Sequence, residues 1–152
     1  MFQCCGESPY FSERKFNFKG LELIISENFV SINPEYIADA KNLKPESKLD
    51  NPYFVKNTIE DYNIRFSPTL ENQNDNVKES FQFGCEEGTN IISKIKLNSR
   101  IKVLAELIQN DRTWLFVEVD GKFLNKKCNP VSFDFDNQSL RGWISSKFVE
   151  KL

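Results

Sequence analysis

The sequence predicts a mainly β protein: a small C-terminal barrel or sandwich with two extended loops, preceded by a small lobe of one β-hairpin and one short helix. Three observations carry this. Apolar and polar residues alternate in short runs along most of the chain, the signature of half-buried strands. Turn signals separate these runs at the spacing typical of small all-β folds. Only one segment carries helix start and stop signals. Phe, Leu, Ile and Val supply 46 of the 152 residues, enough apolar material for one core or two small ones.

Residues 1–14 are of mixed character and read as a flexible N-terminal segment. Residues 15–58 read as the small lobe. Leu21, Leu23 and Ile25 form one strand, and Phe29, Val30 and Ile32 a second. Ser26-Glu27-Asn28 between them reads as the turn of a hairpin over 16–32. Asn33-Pro34 then supplies an N-cap and a first-turn proline. Glu35 and Asp39 near the start, with Lys41 and Lys44 near the end, complement the helix dipole. Pro45 stops this helix, placed over 34–43. The polar, proline-bounded stretch 45–52 reads as a linker or surface loop. From Tyr53 onward strands are expected at 53–55, 62–66, 91–97, 100–108, 113–119 and 142–149, with Asp120-Gly121 as a hairpin turn.

Composition excludes several classes of function. The formal charge is -2, from 20 basic and 22 acidic residues. They are mixed throughout, without the basic stripe of a nucleic-acid binder. The chain has no histidine, which removes Ser-His-Asp and Cys-His nucleophilic chemistry and the common catalytic zinc sites. Carboxylate-only hydrolysis survives, with Glu86-Glu87 or Asp134 and Asp136 as candidates. Neighbouring acids in polar loops are usually just solvated, so no enzyme is expected, and no cofactor. No apolar run is long enough to span a membrane, and no signal-peptide pattern appears.

The four cysteines are Cys4, Cys5, Cys85 and Cys128. Their spacing is poor for a metal site, and none is expected. Cys85 and Cys128 are either two unrelated buried thiols or a disulfide. A disulfide would close a 43-residue separation, worth about 4 kcal/mol in the chain-entropy picture. Adjacent Cys4 and Cys5 are either free thiols on a frayed terminus or a lipid-anchor site, although Phe2-Gln3 is not the usual small-residue lead-in.

Tyr62-Asn63-Ile64-Arg65 followed by Ser67-Pro68 opens a further pattern. It resumes at Gly88-Thr89-Asn90-Ile91-Ile92 and Ile101-Lys102-Val103-Leu104, then at Trp114–Val117. It ends at Arg141-Gly142-Trp143-Ile144-Ser145-Ser146-Lys147-Phe148-Val149. In order and spacing this resembles the bacterial SH3 (SH3b) family over residues 62–152, with two added segments at 71–87 and 122–139. The resemblance implies an SH3-like barrel at 59–152 and a non-catalytic binding module of the cell envelope that recognises peptidoglycan or wall peptides. The wall peptidases and amidases that accompany such barrels need histidine, which is missing. The alternative is a protein-interaction role, as an inhibitor, an immunity protein or an envelope assembly factor, through loops 71–87 and 122–139. Cys85 and Cys128 fall one in each added segment, which favours a staple between them and an extracytoplasmic, periplasmic or cell-surface location. Met1 is equally compatible with a cytosolic start.

Roles follow for the matched residues. Gly142 permits close backbone approach at a tight bend, and Trp143, Ile144 and Phe148 supply apolar area to close the core. Tyr62, Asn63 and Arg65 are ligand-contact candidates on the opening strand. For Asn63 and Arg65, local hydrogen bonds and a carboxylate partner are the structural alternatives. Trp114, after the polar turn 110–113, is a candidate half-exposed platform for a sugar or peptide. Phe133 and Phe135 alternate with polar residues and form either a partner surface or a loop folded back on the barrel. The expected partner is a cell-wall peptide or glycan, or another protein.

Overall fold

The computed structural model describes residues 10–32, 43–70, 89–109, 111–127 and 133–152. Cys4, Cys5, Cys85 and Cys128 lie outside these residues, as does the predicted helix apart from Leu43. The described chain is mainly β, with strands β1 (Tyr10–Lys19), β2 (Glu22–Ile32), β3 (Tyr53–Asn57), β4 (Tyr62–Arg65), β5 (Ile91–Ile95), β6 (Arg100–Gln109), β7 (Arg112–Asp120), β8 (Ser139–Ser145) and β9 (Val149–Lys151).

These strands form one mixed sheet in the order β1-β2-β8-β7-β6-β3-β9, with β4 pairing both β5 and β8. All pairs are antiparallel except β2 with β8, which is parallel and short: Phe29 faces Ser139 and Val30 faces Leu140. The sequence assigns residues 15–58 to a lobe of their own. In the structure β2 of that range pairs with β8, and β3 is hydrogen-bonded between β6 and β9. The expected linker at 45–52 is also tied down, because the Leu49 N–H donates to the Leu104 carbonyl at 2.8 Å. At the end of β3 the buried Asn57 side chain donates to the Ile59 and Lys96 carbonyls and accepts from the Ser99 N–H.

Two turn expectations are corrected. The first hairpin turns at Gly20, whose φ of +65° lies in the left-handed region that glycine reaches without steric penalty. Ser26-Glu27-Asn28 runs on within β2. Lys15 pairs with Glu27 and Phe16 with Ile25, which leaves Ser26 as the extra residue of a β-bulge. The Ser26 hydroxyl donates back to the Lys15 carbonyl at 3.1 Å, so the polar triplet marks the bulge. Asp120-Gly121 likewise makes no two-residue hairpin. It leads into a 3-10 turn, Gly121–Phe123, that delivers Leu124 to a bridge with Ile95.

β7 and β8 are buried on both faces. Leu115, Val117 and Val119 of β7, with Leu140 and Ile144 of β8, enter a large core shared with Val30, Ile64, Ile95, Ile101 and Val103. Trp114 and Phe116 alternate to the other face, where Trp143 joins them with Leu104 and Ala105 in a second cluster. Phe116 and Trp143 have ring centroids 5.2 Å apart. The Trp143 indole N–H donates to the Leu43 carbonyl at 3.2 Å, so segment 43–49 roofs this face.

Candidate functional site

The sequence candidates do not converge. Trp114 is only 3% exposed and sits in the second cluster. It is no half-exposed platform, because the strand-end position that suggested one is covered from both sides. Tyr62 is buried in the large core on the other face of the sheet, and its hydroxyl donates to the Ser145 carbonyl. Burial pushes its pKa above the usual phenol range. The Arg65 Nη1 donates to the amide oxygen of Asn90 at 2.6 Å. Asn90 in turn donates to the Thr69 carbonyl at 3.0 Å, pinning the turn after β4. The Asn63 side-chain oxygen is buried and accepts no hydrogen bond among the described residues.

The close approach expected at Gly142 is present, since a Cβ there would lie 2.8 Å from both the Arg65 carbonyl oxygen and Ile64 Cγ1. Trp143 and Ile144 are fully buried. Phe148 is 38% exposed and meets the Tyr62 ring edge-on at 6.3 Å, so it caps the core from its rim. Phe133 and Phe135 are half-buried, pack against the large core, and meet edge-to-face at 5.0 Å. Of all these candidates, Phe135 alone also lines the main cleft.

That cleft has a volume of about 360 Å³ and opens between β2, the end of β7 and the turn at 134–138. The turn is pre-organised. Asp134 Oδ1 accepts from the backbone N–H groups of Asp136 and Asn137, and Oδ2 from the Asn137 amide. The Asn137 side-chain donor, foremost among these, holds the Asp134 carboxyl below the usual range. The Gly121 N–H donates to the Gln138 carbonyl at 2.9 Å, and Gln138 Nε2 donates to Asn28 Oδ1 at 3.2 Å. Within the cleft wall Glu118 is spoken for: it accepts from Arg141 Nη2 at 2.8 Å and from the Ser139 hydroxyl at 2.9 Å. The Asp120 and Asp136 carboxylates have no ion pair or hydrogen bond among the described residues and leave this wall acidic.

The wall formed by β2 has a second property. β2 pairs with β8 only at Phe29 and Val30, so its edge from Glu22 to Asn28 pairs with no strand among the described residues on the cleft side. By register, Phe16 pairs with Ile25 and Phe18 with Leu23. These four residues therefore share the hairpin face that, further down, carries Val30 and Ile32 into the core. The hairpin overhangs the core, and this apolar face is left in solvent: Phe18 is 77% exposed, Leu23 57%, Ile25 49% and Phe16 47%. The alternation is visible in the sequence. What it could not disclose is that the body of the sheet ends at the bulge.

Among the described residues no three Cys, Asp or Glu side chains gather to hold a metal ion, and no helix is long and apolar enough to cross a membrane. No family model, curated protein or solved structure matches the chain.

Proposed function

We propose that the chain is a non-catalytic binding module of the bacterial cell envelope, built on an SH3-like barrel, and that its ligand is an extended polypeptide segment, a wall peptide or a stretch of another protein, rather than a glycan strand. Support for the barrel comes from the consecutive strands β4 to β8, the Gly142-Trp143 pair at the point where β4 meets β8, and the pairing of terminal β9 back onto β3.

The observation that carries the ligand class is the free edge of β2 beside an exposed apolar face and an acidic cleft. An extended peptide finds there unpaired backbone groups for strand addition. It also finds Phe16, Phe18, Leu23 and Ile25 for alternate apolar side chains, and Asp120 and Asp136 for a lysine or arginine. A contiguous apolar surface of this kind marks a protein-contacting site. Trp114, the aromatic that the sequence offers as a sugar platform, is buried.

Selection from a random-peptide library tests this. Enriched sequences are expected to alternate apolar residues with at least one basic residue, and their binding is expected to fall at least about tenfold in the Phe18→Ser, Leu23→Ser double variant. Both side chains are mostly exposed, so the fold is expected to survive. Glycan strands stripped of their peptides provide the opposing arm. If they carry the protein down on sedimentation as well as intact peptidoglycan does, the polypeptide reading fails.

A further inference from the structure

On the opposite face of the hairpin the structure holds a second, smaller pocket of about 170 Å³, between β1, β2, segment 44–48 and β8. Phe11, Phe29 and Phe116 form its aromatic wall, and Glu13 lines it beside Lys15, its ion-pair partner. At its base Arg141 is 7% exposed and stacks on the Phe29 ring, 3.5 Å from the centroid. We propose that this pocket binds a carboxylate joined to an apolar group, held by Lys44, Lys48 and the Ser31 hydroxyl, with the apolar group against the aromatic walls.

The charge inventory leads there. Lys15 pairs with Glu27 at 3.1 Å and with Glu13 at 3.8 Å. Arg141 pairs with Glu118 at 2.8 Å and with Glu27 at 3.6 Å. The three acids are thereby spent on two cations. Lys44 and Lys48 are left with no carboxylate among the described residues, and the Lys44 ammonium lies 4.8 Å from the centre of the Phe11 ring. Burial, with the positive charges of Arg141 and Lys15, lowers the pKa of Lys48 against the opposing pull of Glu27 and Glu13.

Ser31 supplies the independent sign. It is 7% exposed, lines this pocket, and its hydroxyl is buried with no hydrogen-bond partner among the described residues. Buried hydroxyls are nearly always satisfied. A ligand oxygen facing Ser31 would complete it.

The donor set also selects the anion. Phosphate is best held by the planar fork of an arginine, but the fork of Arg141 is committed to Glu118 and Glu27. Two ammonium groups and one hydroxyl suit the two oxygens of a carboxylate. A free acyl amino acid and the C terminus of a polypeptide share that chemistry.

The test is an NMR and calorimetric titration of the protein with N-acetyl-phenylalanine, its amide, inorganic phosphate, and a short peptide ending in phenylalanine with a free carboxylate. The acid is expected to bind and to shift the Ser31 amide and the Lys48 Nζ signal, with the amide at least about tenfold weaker. Lys48→Gln, Lys44→Gln and Ser31→Ala are each expected to weaken the acid and leave the amide unchanged. Lys44→Gln carries the test if Lys48→Gln fails to fold. Binding of the single amino acid but not the peptide assigns a small-molecule source, and the reverse assigns a chain terminus; both uphold the site. Equal binding of acid and amide, phosphate binding as tightly as the acid, insensitivity to these variants, or no binding of the acid at millimolar concentration overturns it.

Discussion

Replacing Gly121 by alanine adds one methyl group at the point where the cleft is held together. Its Cβ would lie 2.5 Å from the Phe135 carbonyl oxygen, 2.7 Å from Phe135 Cα and 2.8 Å from the Gln138 carbonyl oxygen. All three are backbone atoms, so no side chain can rotate away. Reaching ordinary contact at 3.4 Å requires the 134–138 turn to retreat by about 0.9 Å from the tightest of them. That movement strains the hydrogen bond from the Gly121 N–H to the Gln138 carbonyl, worth about 1 kcal/mol. It also lifts Phe133 and Phe135 from the core, at an overpacking cost of about 1–3 kcal/mol. The expected total is about 2–4 kcal/mol, read from urea unfolding, together with loss of peptide binding at the cleft. Gly20→Ala is the control: nothing lies within 4 Å of its Cβ, so it carries only the cost of a left-handed alanine, about 1 kcal/mol. A Gly121→Ala protein within about 0.5 kcal/mol of wild type, with its cleft intact, would refute the close-approach reasoning.

Three further outcomes are expected. Trp114→Ala empties the second cluster and is expected to destabilise the protein by about 3–5 kcal/mol; chemical denaturation showing a near-neutral change would mean that the indole is not buried. Tyr53 donates its phenol proton to Glu106 at 2.5 Å, and burial first, then that acceptor, raises its pKa. With a folded pKa above the unfolded value, its contribution is fully present below about pH 10 and fades as pH rises further. Tyr53→Phe is therefore expected to flatten the alkaline limb of stability against pH, and an unchanged limb counts against the bond. Glu118→Gln removes the closer of the two carboxylates that pair with the buried Arg141 and is expected to cost about 1.5–3 kcal/mol; Glu27→Gln, at a carboxylate with 39% side-chain exposure, is expected to cost less than about 1 kcal/mol, and equal losses would place the pair's energy elsewhere.

The mainly β character was legible because alternation is a local property, and so was the close approach at Gly142. What failed was partition between faces. Trp114 at a strand start reads as exposed only if β7 has one solvated side. In the structure, Trp143 and the 43–49 roof cover that side, a relation among segments about 30 and 70 residues away that no local pattern encodes. Ser26-Glu27-Asn28 carried a true signal of backbone irregularity, but a bulge and a turn draw on the same residues. Gly20 alone distinguishes them, by its positive φ. The exposed hairpin face is hidden from the sequence for the opposite reason. Phe16, Phe18, Leu23 and Ile25 have the pattern of buried residues, and only the end of the sheet at Phe29 leaves them uncovered.

The position of β8 explains why the cleft and the pocket both open beside one hairpin. β8 pairs with β7 along its whole length, and its other edge is divided between β2 at Ser139 and Leu140 and β4 at Trp143. β2 can follow β8 for only those two residues before it must diverge, because β4 claims the rest of the edge. The hairpin is therefore anchored at its base and free beyond it. The divergence opens the cleft above Gly121, and segment 44–48 bridges the step to form the lysine-lined pocket. Arg141 and Glu118 lie on the same face of adjacent strands and are directly paired in the β7–β8 register. Their ion pair is the wall between the two spaces: Glu118 lines the cleft and Arg141 the pocket.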